Sequence, residues 1–224
     1  MPWRDRIRTV EVEPSLYSAD FSILGEQVGS LLEAGCRIFH FDIGDGHFVE
    51  PVTMGPMVLQ SISPLIHERG GAIDVHLMVE NPASSFASVV EAGGDSVTFH
   101  YEAVDDVAAT LCAARDRGLE GGVAFGPGSG PEEVAAVSGG ADVVCISIRA
   151  GCSEQAFREE SFDRVRRLRA ALPPSTPIQV DGGVGPDNIA QLRDCGATLL
   201  VAASAIFARA DVAGAYRALV SRLA

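Results

Sequence analysis

The chain has 224 residues, 47% of them hydrophobic, and a formal net charge of −13. That suits one full core and excludes a polyanion-binding surface, so no nucleic-acid partner is expected. All 17 basic residues are arginine, which excludes a lysine Schiff base, a lysine general base and lysine-anchored pyridoxal phosphate.

From the N-terminus, the first thirteen residues lack the apolar stretch of a signal peptide, and no later run is long enough to span a bilayer. Short β-branched runs then alternate with amphipathic stretches. Strands are predicted at residues 10–16, 37–42, 72–77, 96–100, 121–125, 142–147, 177–181 and 199–202. Between them, apolar residues recur at helical spacing: Phe21, Leu24, Val28, Leu31 and Leu32; then Phe162, Val165, Leu168 and Leu172; then Val212, Tyr216, Leu219 and Leu223. Glycine-bearing triplets at 34–36, 92–94, 139–141 and 195–197 stop helices just before strands. Eight strands alternating with helices predict an α/β fold, a (β/α)8 TIM barrel occupying residues 1–224 as a single domain. The first strand–helix loop lacks Gly-x-Gly-x-x-Gly, against a dinucleotide-binding sheet. The five cysteines, Cys36, Cys112, Cys145, Cys152 and Cys195, are scattered without Cys-x-x-Cys spacing. They read as reduced thiols of a cytoplasmic protein.

Barrel active sites form at the C-terminal ends of strands. There the sequence places His40 and Asp42 on strand two, His76 on strand three and Asp181 on strand seven, with Ser15 and Tyr17 ending strand one. His40 and Asp42, two residues apart, share one side of the sheet. A single strand histidine is usually a core residue, and an aspartate before Gly-Gly usually a turn former. Two of each at converging strand ends favour a mixed nitrogen and oxygen metal site. Asp45 and His47 lie beyond the strand end and are assigned to loop hydrogen bonding and to the rim. His100, ending strand four, either lines the site or supports it, and Ser147 is a weaker lining candidate.

Several segments resemble the ribulose-phosphate 3-epimerase family over nearly the whole chain. They are 14–21 (PSLYSADF), 40–49 (HFDIGDGHFV), 74–78 (DVHLM), 99–103 (FHYEA), 180–184 (VDGGV) and 204–207 (SAIF). The resemblance implies a barrel of the ribulose-phosphate-binding type and one divalent metal ion (Zn2+, Fe2+, Mn2+ or Co2+) held by His40, Asp42, His76 and Asp181. Asp42 and Asp181 double as acid and base, interconverting D-ribulose 5-phosphate and D-xylulose 5-phosphate. It also implies a phosphorylated ketose as ligand and a homo-oligomeric assembly. Substrate contacts are expected from Ser15, His76, Met78, Gly151, Gly182, Gly183, Ala203 and Ser204, with Arg149 and His100 as further candidates. The chemistry agrees. Epimerisation beside a ketone removes a proton on one face and returns one on the other, which needs two opposed carboxylates and a cation to stabilise an enediolate.

The chain departs from the family around the mouth. Gly44 stands where the family has methionine after the strand-two aspartate, which is expected to leave space. Ile146 replaces another methionine, Glu50-Pro51 alters the loop after strand two, and Ala203 replaces a glycine. The lid-like Pro-Gly-Phe-Gly-Gly-Gln becomes Ala150-Gly151-Cys152-Ser153-Glu154-Gln155, preceded by Arg149. Three readings follow: a pentulose-phosphate 3-epimerase, a paralogue acting on another ketose derivative, or a catalytically silent barrel, the last opposed by the intact quartet. Orotidine-phosphate decarboxylase and hexulose-phosphate synthase relatives are set aside because their sites use lysine.

Overall fold

The computed structural model describes all residues except 1, 2, 8, 148, 149, 152–156 and 224. Eight parallel strands run β1 (Glu11–Pro14), β2 (Ile38–Gly44), β3 (Ala72–Met78), β4 (Ser96–His100), β5 (Glu120–Phe125), β6 (Val143–Ser147), β7 (Ile178–Asp181) and β8 (Leu199–Ala202). They form one sheet in the order β1-β8-β7-β6-β5-β4-β3-β2. Among the described residues, the remaining seam, between β1 and β2, is bridged at Ser15 and His40 alone. The result is a nearly closed barrel, as the strand–helix alternation predicts.

Every predicted strand is present; 96–100 and 199–202 keep their bounds, and the other six shift by one or two residues at one or both ends. The first strand is shorter than 10–16, because the chain turns into a 3-10 helix at Leu16–Ser18. The second and third strands run on to Gly44 and Met78. His40, Asp42 and His76 therefore lie within their strands rather than closing them: His76 is flanked by ladders to β2 and β4, while His40 and Asp42 are held by the ladder to β3.

Strand alternation separates two environments. Phe39, Phe41 and Ile43 of β2, Ile73, Val75 and Leu77 of β3, and Val97 and Phe99 of β4 pack outward into the apolar layer. That layer includes Val28, Leu31 and Leu32 of α1 (Leu24–Glu33) and Phe86 and Val89 of α3 (Pro82–Ala92). The alternate residues point into the barrel. At its N-terminal end, Trp3 covers Ile38, Ala72, Val143 and Leu199 as a small apolar plug. Midway up, the interior is polar. Glu13, Asp74 and Gln179 are fully buried, and the Gln179 amide donates to both Glu13 Oε2 and Asp74 Oδ2, at 2.5 and 2.8 Å. Gly122 of β5 leaves room beside this layer; a Cβ there would lie 2.4 Å from both Thr98 Oγ1 and Val143 Cγ1.

Candidate active site

Above the polar layer, the register sets His40 beside Asp74 and Asp42 beside His76 on adjacent strands. Asp181 ends β7 across the mouth. One ligand atom from each of His40, Asp42, His76 and Asp181 falls within 4.8 Å of the others. His40 Nε2 is 3.3 Å from Asp42 Oδ1 and 3.4 Å from His76 Nδ1. His76 Nδ1 is 3.3 Å from both Asp42 Oδ1 and Asp181 Oδ2. A tetrahedral cation with bonds of about 2.0–2.2 Å separates neighbouring ligand atoms by about 3.3–3.6 Å. The quartet thus fits a divalent ion in both spacing and donor type.

The groups behind the quartet orient it. Ser15 Oγ donates to Asp42 Oδ2 at 2.6 Å, leaving Oδ1 to face the histidines. His76 Nε2 meets His100 Nε2 at 2.9 Å, and His100 Nδ1 meets Glu102 Oε2 at 3.2 Å. The rings of His76 and His100 stack at 5.1 Å. Burial holds His100 below the usual histidine range, against the pull of Glu102. A neutral His100 has one N–H, which goes to Glu102, so its Nε2 accepts from His76 Nε2–H. In its neutral form His76 then has its Nδ1 lone pair aimed into the quartet, the tautomer a metal ligand needs. Glu102 stays ionised. Burial opposes this, but hydrogen bonds from His100, Ser129 and the Gly126 N–H bring it down to about 2. His40 turns Nε2 to the quartet and Nδ1 toward Asp74 Oδ2, 3.4 Å away.

Electrostatically Asp42 and the two histidines act on one another. Burial pushes Asp42 up, but the charge of His40 and hydrogen bonds from both histidines hold it far below the usual carboxylate range. Burial lowers His76, but the hydrogen bonds it donates to Asp181 and Asp42 outweigh this and raise it to about 9, so with no cation in the quartet Nδ1 carries a proton. In the layer below, burial and the Asp74 charge push Glu13 up to about 8, so it is largely protonated at neutral pH.

A cavity of about 360 Å³ opens over Asp42 and Asp181. The predicted contact residues Ser15, Met78, Gly151, Gly182, Gly183, Ala203 and Ser204 all line it. His76 and His100 lie behind the wall, buried, so each supports the site from beneath. Asp45 does take the loop role: its carboxylate accepts from the N–H groups of His47, Phe48 and Glu80. Arg149 falls outside the described residues, as do the Ser147 side chain and 152–155 of the altered loop.

The space expected at Gly44 is absent. A Cβ there would lie 2.9 Å from both Pro51 O and Val49 Cγ2. The loop after β2 folds back onto the strand end. Thr53 Oγ1 accepts from Gly44 N–H and donates to Asp42 O, each at 2.7 Å. Glycine is present because the loop occupies the volume a side chain would take. From the opposite side, Gly151 (φ +79°) packs so closely on Val49 that a Cβ would come within 2.8 Å of it. Its N–H points to Met78 Sδ at 3.0 Å.

Sequence reasoning missed the supporting layer of Glu13, Asp74 and Gln179, and the Glu102 partner of His100. A signal was available. Each of Glu13, Asp74 and Gln179 precedes a predicted site residue by two positions, the spacing that puts both on the barrel interior.

A sequence model described as the Ribulose-phosphate 3 epimerase family matches residues 11–207. The chain belongs to the ribulose-phosphate 3-epimerase family. Among its relatives, ribulose-phosphate 3-epimerase 2 of Cupriavidus necator is 35% identical over 96% of this chain and 92% of the relative. Ribulose-phosphate 3-epimerase of Escherichia coli K12 is 36% identical over 89% and 90%. This epimerase-family member is therefore an isomerase. Solved structures share its fold at lower identity. A 3-hexulose-6-phosphate synthase superimposes with a TM-score of 0.70 at 20% identity, over 97% of this chain and all of that one. No described helix is long and apolar enough to cross a membrane.

Proposed function

We propose that the enzyme interconverts D-ribulose 5-phosphate and D-xylulose 5-phosphate, with Asp42 and Asp181 exchanging the proton at carbon 3. The observation that carries this reading is the placement of the two carboxylates. Both line one cavity, on strands β2 and β7, with His76 Nδ1 3.3 Å from an oxygen of each. A carbon held between them has one carboxylate on each face. One removes its proton while the other returns a proton from the opposite side, which inverts the centre.

His40, Asp42, His76 and Asp181 would hold the divalent metal. When bound, it supplies Lewis-acid stabilisation of the charge developing on the substrate's adjacent oxygens, worth several kcal/mol. Ser15 keeps one Asp42 oxygen committed, so the other has a fixed direction. Gly182 and Gly183, both at positive φ, and Ala203 with Ser204 form the far end of the cavity, where the phosphate would sit. The whole chain would act as one barrel domain in the cytoplasm.

The test is conversion of D-ribulose 5-phosphate by the metal-loaded protein, followed by NMR beside a panel of other ketose phosphates. Turnover of the pentulose phosphate, lost on chelation and regained with a divalent ion, is expected. Turnover of another ketose phosphate alone would replace the substrate, and no turnover of any would overturn the reading.

A further inference from the structure

We propose that Arg209 is a specificity-determining residue, the cation that neutralises the substrate's phosphate; this rests on the phosphorylated substrate proposed above. The need for such a cation is physical. The chain carries a net charge of −13, and in the cavity Asp42 and Asp181 would do no more than cancel the charge of the divalent cation proposed there. A phosphate dianion approaching this mouth is repelled unless a positive group stands close to it. Backbone N–H groups carry only partial charges, and one in this region is already committed: Gly185 N–H goes to Asn188 Oδ1 at 2.9 Å.

Among the described residues, Arg209 is the one cationic residue lining the cavity. It lies between α8 (Ser204–Phe207) and α9 (Val212–Ser221), on the glycine-loop side of the mouth. Its guanidinium forms no ion pair or hydrogen bond with any described residue. The nearest acid in sequence, Asp211, is occupied in capping α9, accepting from Gly214 N–H at 2.7 Å. The other described arginines with ion pairs are held on the outer surface, as Arg167 is by Glu132. Arg209 thus combines position at the cavity with an uncommitted charge. A guanidinium also presents paired N–H donors that match two phosphate oxygens at once. Arg209 borders a second cleft with Arg222 as well, so Arg222 serves as a neighbouring control.

The experiment compares Arg209→Ala, Arg209→Lys and Arg222→Ala on D-ribulose 5-phosphate and on unphosphorylated D-ribulose. Arg209→Ala is expected to raise KM for the phosphorylated ketose about tenfold or more, with kcat within about twofold. It should leave kcat/KM for D-ribulose unchanged and weaken inhibition by inorganic phosphate in parallel. Arg209→Lys should recover part of the loss, and Arg222→Ala should match the unaltered enzyme. An unchanged KM in Arg209→Ala overturns the inference, as does an equal loss on both ketoses, which would mark a structural role. An unaltered enzyme that does not prefer the phosphorylated ketose overturns the substrate reading itself, and this inference with it.

Discussion

The two carboxylates of the site have unlike surroundings. Asp42 is buried in mid-strand, held by Ser15 Oγ on one oxygen and His40 and His76 on the other, with Thr53 fastened to its own carbonyl. Asp181 ends its strand, is about one-fifth exposed, and leads directly into Gly182 and Gly183. One half of the site is braced within a strand and the other stands at a strand end that turns directly through two glycines. The same residue type therefore serves two faces of one carbon from a fixed position and from a more open one.

Replacing either aspartate is the harshest way to break that comparison. Asp42→Asn and Asp181→Asn should each lower epimerisation by about 10²–10⁴-fold, measured as turnover with metal in excess. If one variant kept full activity, the two halves would not be partners. His40→Ala should lose bound metal, read by elemental analysis of the purified protein, and activity with it; a metal-free variant with full turnover would refute the quartet. Ser15→Ala sharpens the comparison, because it loosens only the braced half. It leaves Asp42 Oδ2 without its donor, a cost of about 1–3 kcal/mol, and should reduce kcat about tenfold while metal stays bound. The smallest effect on chemistry is expected from Gly44→Met, which forces a side chain into the loop 49–53. Overpacking of this kind costs about 1–3 kcal/mol and should appear as a Tm lowered by about 2–12 °C. An unchanged Tm would mean the loop yields freely.

How much of this was legible beforehand follows the same division. The strand-borne residues His40, Asp42, His76 and Asp181 were readable because a period of two fixes which side chains point into a barrel, and the barrel fixes which strands face one another. The polar layer beneath them obeys the same period, but Glu13 and Gln179 carry no motif of their own, and Asp74 stands in 74–78 only as the neighbour of His76. The mouth was less readable. Gly44 looked like a lost side chain, yet its meaning depends on Val49, Pro51 and Thr53 folding back over it. That is a tertiary contact within a loop, which no local spacing encodes. Likewise, the tautomer of His76 depends on a three-member chain through His100 to Glu102, assembled from two strands and a turn.

The central claim is that these two unlike aspartates serve opposite faces of carbon 3, one removing its proton and the other delivering a different proton from its own carboxyl. The direct measurement is turnover of D-ribulose 5-phosphate in D2O by the metal-loaded enzyme, followed by NMR. The account predicts D-xylulose 5-phosphate carrying deuterium at carbon 3, with the other carbon-bound positions still protiated. Product that retains the substrate's own proton at carbon 3 throughout, or deuterium entering at another carbon, would contradict it.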